Sequence, residues 1–177
     1  RGYEKLLQLL HFPVNMKNEY GDTALHVASD RGNIVVVEVL LSGGADPNIL
    51  SKAGQTPLSA SIQSAWHNTS VVTQLLDSDA NPDIPFCETP LYTACRIGIL
   101  PTVCALLANL LANPNIFSGQ MNPLHIATIF GNTAVVRALL KHGKINVHAV
   151  TGGGHTAMSL AERYKKSDIT KLLKSFC

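Results

Sequence analysis

Apolar residues return along this chain in short bursts with helical spacing. Leu25, Val27 and Ala28 share one helical face, and after Gly32-Asn33 the residues Val36, Val37, Leu40 and Leu41 do the same, which predicts two short amphipathic helices joined by a tight turn. The pattern then repeats. Thr23-Ala24-Leu25-His26, Thr56-Pro57-Leu58-Ser59, Thr89-Pro90-Leu91-Tyr92, Asn122-Pro123-Leu124-His125 and Thr156-Ala157-Met158-Ser159 stand 33, 33, 33 and 34 residues apart. A fixed period in this range implies units that bury their apolar faces against their neighbours.

The polar positions mark the ends of the predicted helices. A Thr hydroxyl caps first-turn amides and Pro at the first helical position loses no hydrogen bond, so each Thr-Pro announces a helix start, and Asn122 serves in place of Thr. Gly32-Asn33 suits the turn between helices and Gly43-Gly44 the end of the second. Ala45-Asp46-Pro47-Asn48 up to Gly54 is turn chemistry leading into the next unit.

Gly21-Asp22-Thr23-Ala24-Leu25-His26-Val27-Ala28, Gly32-Asn33, Val36 to Leu41 and Gly44 to Asn48 together resemble the ankyrin repeat. The resemblance covers nearly the whole chain and implies an all-α fold, an ankyrin-repeat solenoid of stacked helix-turn-helix units with β-hairpin-like loops and a concave face. On this register 1–177 is a single repeat domain: a partial repeat over 1–17, full repeats over 18–50, 51–83, 84–116 and 117–150, and a C-terminal capping repeat over 151–177. Tyr3 to Leu10 supplies the apolar helix of the partial unit, and His11 to Asn15 its turn. A start at Arg1 without a signal layout presents the chain as an excerpt of a longer polypeptide.

Some units depart from the pattern. Ala65-Trp66-His67-Asn68-Thr69 is about two residues longer than its counterparts and is expected to bulge. The turn that follows is correspondingly shorter and puts Cys87 where other units carry Gly21 or Gly54. Pro101 sits in a tolerated first-turn position, and the enlarged exit over Ala108 to Ala112 predicts a long second helix in that unit.

Composition adds exclusions. A net charge of +2, from 14 Lys+Arg and 12 Asp+Glu, reads as too small and too evenly spread to call for nucleic acid. The basic end (Arg163, Lys165, Lys166, Lys171, Lys174) reads as a solvated face, with an anionic docking patch as the alternative. No apolar run reaches the roughly 18 residues of a membrane helix. Cys87, Cys95, Cys104 and Cys177 show neither zinc spacing nor a disulfide framework, so a reducing compartment is expected, the cytoplasm or the nucleus.

Catalytic chemistry finds no foothold. His26 and His125 lie in different units and cannot converge on a metal, and the resemblance implies that their imidazoles bond neighbouring turns. The cysteines lack a visible base, Gly152-Gly153-Gly154 lacks the Lys-Ser/Thr of a phosphate loop, and Asp77 with Asp79 lie in an exposed turn. No enzymatic activity, cofactor or metal is expected.

The surface remains. The resemblance implies that partners are bound at the loop tips and at the exposed positions before the inter-helix glycine. Here these positions include Tyr20, Asp30 and Arg31 in the first full unit, Gln63, Ser64 and the added Trp66 in the second, Phe86, Arg96 and Ile97 in the third, and Phe117, Ile129 and Phe130 in the fourth. Ile97, Ile129 and Phe130, with Phe86 and Phe117 near the tips, form a candidate apolar strip. The alternative is that Ile97 and Phe130 pack between units. Trp66 is either an anchor or a lid over Ser61. The expected function is a monomeric, non-catalytic module that binds a protein or peptide as an adaptor or substrate-recognition arm. The alternative is the regulatory segment of a larger enzyme, channel or bacterial effector.

Overall fold

A computed structural model describes residues 13–176. The helix expected over Tyr3 to Leu10, the adjoining His11 and Phe12, and Cys177 lie outside the described residues. Ten α-helices are described, in five pairs: α1 (Ala24–Asp30) with α2 (Ile34–Ser42), α3 (Pro57–Gln63) with α4 (Thr69–Asp77), α5 (Pro90–Ile97) with α6 (Leu100–Ala108), α7 (Pro123–Phe130) with α8 (Thr133–Lys141), and α9 (Ala157–Arg163) with α10 (Ser167–Lys174). Backbone contacts divide the chain into two compact units, Arg1–Phe86 and Cys87–Cys177. The turns between pairs carry isolated antiparallel bridges, such as Ser118 with Met121 and Val150 with Thr156.

The capping signals act as their chemistry dictates. Ser59 N–H donates to Thr56 Oγ1 at 3.1 Å, Ser159 N–H to Thr156 Oγ1 at 3.2 Å and His125 N–H to Asn122 Oδ1 at 3.0 Å. Each cap contributes on the order of 1 kcal/mol, a large fraction of what a helix this short can gather alone. Pro57, Pro90 and Pro123 occupy the first turn, where their missing N–H costs nothing.

In the unit ending at Phe86, α1 packs on α3 and α2 on α4. Leu25, Ala28, Val37, Leu58, Ile62, Val71 and Leu75 are buried there. In the unit from Cys87, α5, α7 and α9 form one row and α6, α8 and α10 the other. Ala94, Ala127 and Ala161, each five residues after the capping residue, are fully buried and let adjacent first helices approach closely.

Three expectations need correction. Val27 is 46% exposed and Val36 40% exposed, so the buried stripes of α1 and α2 are narrower than the apolar pattern, resting on Leu25, Ala28, Val37 and Leu40. The second helix of the third pair does not run long: α6 stops at Ala108, nine residues like α2, α4 and α8. The extra residues form a turn, with Leu111 N–H bonded to Asn109 Oδ1 at 2.9 Å and Leu110 and Leu111 exposed. The local Asn side-chain bond competes with helix continuation, and so the chain leaves the helix at Asn109.

The turn between paired helices requires a left-handed residue, supplied by Gly98 (φ 89°) and Gly131 (φ 79°) but by His67 (φ 41°) in α3–α4, after the two extra residues. Cys87 is likewise left-handed (φ 58°), in the place of Gly21 and Gly54. A Cβ in that region costs about 1–2 kcal/mol. Cys87→Gly is therefore expected to stabilise the protein by about 1 kcal/mol, raising Tm by a few degrees in calorimetry. Asn122 Nδ2 is buried and has no hydrogen-bond partner. Asn122→Thr keeps the cap, removes this orphaned donor, and is expected to gain about 1 kcal/mol in denaturant unfolding.

Candidate interaction surface

The side chains expected at the surface divide between the two units. In Arg1–Phe86, Asn18 Oδ1 accepts the N–H groups of Tyr20 and Asp22, both at 2.9 Å, and Lys52 N–H donates to Tyr20 O at 3.0 Å. This tight turn leaves the Tyr20 ring 66% exposed. Asp30 and Arg31 are exposed at the end of α1, and Phe86 is half-buried.

The insertion after α3 changes its surroundings. Ser64, expected at the surface, is buried, and its hydroxyl donates to Asp30 O across to the preceding pair. This bond ties the end of α3 to the preceding pair, and Trp66 N–H donates to Ser64 Oγ at 3.2 Å. The Trp66 Cβ lies beside Gly32, only 3.1 Å from where a Cβ on that glycine would stand. Its side chain is 71% exposed, while the Ser61 hydroxyl bonds to Leu58 O at 2.8 Å within its own helix.

In Cys87–Cys177 the ends of successive first helices present a row. Ile97 and Phe130, eight residues after their capping residues, are 39% and 54% exposed. Tyr164 holds the same register in the last pair, also exposed, and was missed by sequence reasoning although the eight-residue offset points to it. Ile129 is half-buried one position earlier. Arg96 is held by Glu88, with Arg96 Nε donating to Glu88 Oε2 at 3.0 Å, and Thr93 Oγ1 donates to the same oxygen at 3.0 Å. Phe117 is 45% exposed and leans on the His125 ring, with centroids 6.1 Å apart.

The two tetrad histidines are bound into the fold. Thr23 N–H donates to His26 Nδ1 at 3.1 Å and Asn122 N–H to His125 Nδ1 at 3.2 Å. Their Nδ1 atoms are therefore acceptors, and Nε2–H donates to the next pair's turn, at Gln55 O and Ala149 O, 2.9 Å each. Among the described residues, no cluster of three His, Cys, Asp or Glu could hold a metal ion. Cys87, Cys95 and Cys104 are free, and burial pushes the Cys95 thiol well above its ordinary range. No helix among the described residues is long and apolar enough to cross a membrane.

Residues 1–86, 36–118, 62–149 and 91–176 each match the family model of ankyrin repeats in three copies. The chain belongs to the ankyrin-repeat family. Its fold class is accordingly the all-α ankyrin solenoid. An ankyrin repeat domain from Acinetobacter baumannii superposes with a TM-score of 0.85 at 26% identity, covering 98% of this chain and 94% of that one. A putative palmitoyltransferase ZDHHC13 of Danio rerio is 30% identical over 82% of this chain. A transient receptor potential cation channel subfamily A member 1 homolog of Caenorhabditis elegans is 28% identical over 96% of it. The chain spans 23% and 14% of those two relatives. Ankyrin repeats generally mediate protein–protein interaction.

Burial lowers the pKa of His26 and His125, against the opposing pull of their carbonyl partners. Folding thus favours the neutral ring, while the unfolded chain takes up protons near the ordinary value of 6.5. Stability is present in full above that value and falls as pH drops below it, by up to about 1.4 kcal/mol per pH unit for each histidine. Thermal unfolding between about pH 7.5 and about pH 5.5 is expected to show this decline, with His125→Asn less stable at neutral pH but less sensitive to acid.

Proposed function

We propose that this ankyrin stack is a non-catalytic adaptor or substrate-recognition arm that binds another protein or peptide while itself monomeric, in the cytoplasm or the nucleus. The observation that carries the reading is the register of Ile97, Phe130 and Tyr164: large apolar side chains exposed at matched helix ends, where burial is not what holds them. The proposed partner-binding residues in that unit are Arg96, Ile97, Phe117, Ile129 and Phe130, and in the other Tyr20, Asp30, Arg31, Trp66 and Phe86. Recognition through rigid helix ends costs little ordering entropy, and such positions vary without disturbing the buried Leu and Ala rows. Neither nucleic acid nor a metal belongs to this reading.

A second reading has its own support. The palmitoyltransferase and the channel homolog resemble the chain over only a fraction of their own length. An ankyrin segment regulating a larger enzyme or channel fits that relation equally well.

Affinity capture with the full chain as bait tests the surface. Ile97→Asp combined with Phe130→Ala is expected to lower stability by roughly 1–2 kcal/mol without unfolding the chain, because Phe130 is more than half exposed and Ile97 is partly exposed at a helix end. Proteins retained by the wild type are expected to be lost. Unchanged capture would move the site elsewhere, and global unfolding of the double variant would make these side chains structural.

A further inference from the structure

Charge is not evenly spread after all. Residues 133–177 carry eight Lys+Arg against two Asp+Glu, a net +6, whereas residues 1–132 carry six against ten, a net −4. The small overall balance conceals this polarity. Within the unit from Cys87, part of the basic charge gathers around two adjoining depressions between the α7–α8 and α9–α10 pairs. One, of about 260 Å³, is bordered by Phe130, Gly131, Lys165, Lys166 and Asp168. The other, of about 430 Å³, is bordered by Thr133, Arg137, Asp168, Lys171 and Leu172. Thr133 and Asp168 belong to both, so the two form one continuous cleft.

We propose that this cleft binds an acidic peptide segment of a partner protein that carries one large apolar side chain. This rests on the interaction reading above and names the chemistry of the partner. Arg137, Lys165, Lys166 and Lys171 face one carboxylate, that of Asp168, and none of the four cations is in an ion pair among the described residues. The four cations outnumber the one carboxylate that borders the cleft, and an acidic strand laid along them supplies complementary charge. Phe130, 54% exposed at the mouth, offers the apolar contact.

Asp168 argues against a phosphate-bearing polymer. It lies in the first turn of α10, so a carboxylate already meets the amide end of that helix. It repels any anion seated directly against it, and a polymer with a charge on every unit brings one there, whereas a peptide can place a neutral residue at that point and its carboxylates on either side. The Lys166 ammonium lies across Gly131, 2.9 Å from where a Cβ would stand, which places its charge beside Phe130.

A library of random peptides displayed on phage, selected on the full chain, tests the proposal. Selected sequences are expected to be rich in Asp and Glu flanking a Leu, Phe or Trp. A synthetic peptide of the commonest selected sequence should weaken about tenfold or more with Arg137→Glu/Lys171→Glu, and several-fold with Phe130→Ala and at raised salt. Neutral or basic selected sequences would overturn the proposal while leaving the interaction reading intact. A library yielding no binders would overturn both. Tighter binding of a single-stranded oligonucleotide or of phosphatidylserine vesicles than of the selected peptide would also overturn it. So would a dimer in sedimentation that the charge reversals abolish, because a second copy would then be the occupant.

Discussion

A helix of seven to nine residues does not persist in water by itself, and no described helix of this chain is longer. Each therefore depends on the apolar face of the helix pair beside it. That adjacency explains why small residues fill the buried fifth position, Ala94, Ala127 and Ala161, where a larger side chain would push neighbouring first helices apart. It also explains why caps matter so much here: with only two turns per helix, one satisfied amide at Thr56 or Thr156 is a sizeable share of the local free energy.

Polar groups complete the joints that packing begins. His26 and His125 each accept a bond from their own helix start and donate one to the following turn, a double role open only to the neutral ring. Asn48 accepts from Asn81 N–H at 2.8 Å and donates to Asp79 O at 3.0 Å, and Asn115 does the same with Asn146 N–H and Lys144 O, both at 2.7 Å. With the backbone so engaged, the ends of the first helices are free to carry Ile97, Phe130 and Tyr164 outward.

Much of this was readable from local signals. The Thr-Pro starts, the left-handed glycines and the recurring Leu and Ala act within a few residues, and the helix pairs stand where those signals place them. What escaped depends on neighbours in space. The exposure of Val27 and Val36 is decided by how narrow the contact with the adjoining helix is, which periodicity alone overstates. Ser64 is buried by a bond to Asp30 O in the preceding pair, a partner 34 residues away that the insertion's legible length does not name. At Asn109 a side-chain bond ended a helix that the apolar run would have prolonged. The cleft beside Phe130 assembles charges from α8, α10 and an intervening turn, so their convergence was invisible in a linear count.

The asparagine clasps have a further consequence. In a β-sheet the groups that join neighbours are backbone amides, which no substitution short of proline removes. Here part of the attachment between successive units is written in side chains, at Asn48 and Asn115, and each is a single codon. Cohesion between neighbouring repeats can thus be loosened or tightened one joint at a time, leaving every helix and its exposed face as they were. Evolution can adjust the stiffness of such a scaffold independently of what the scaffold displays.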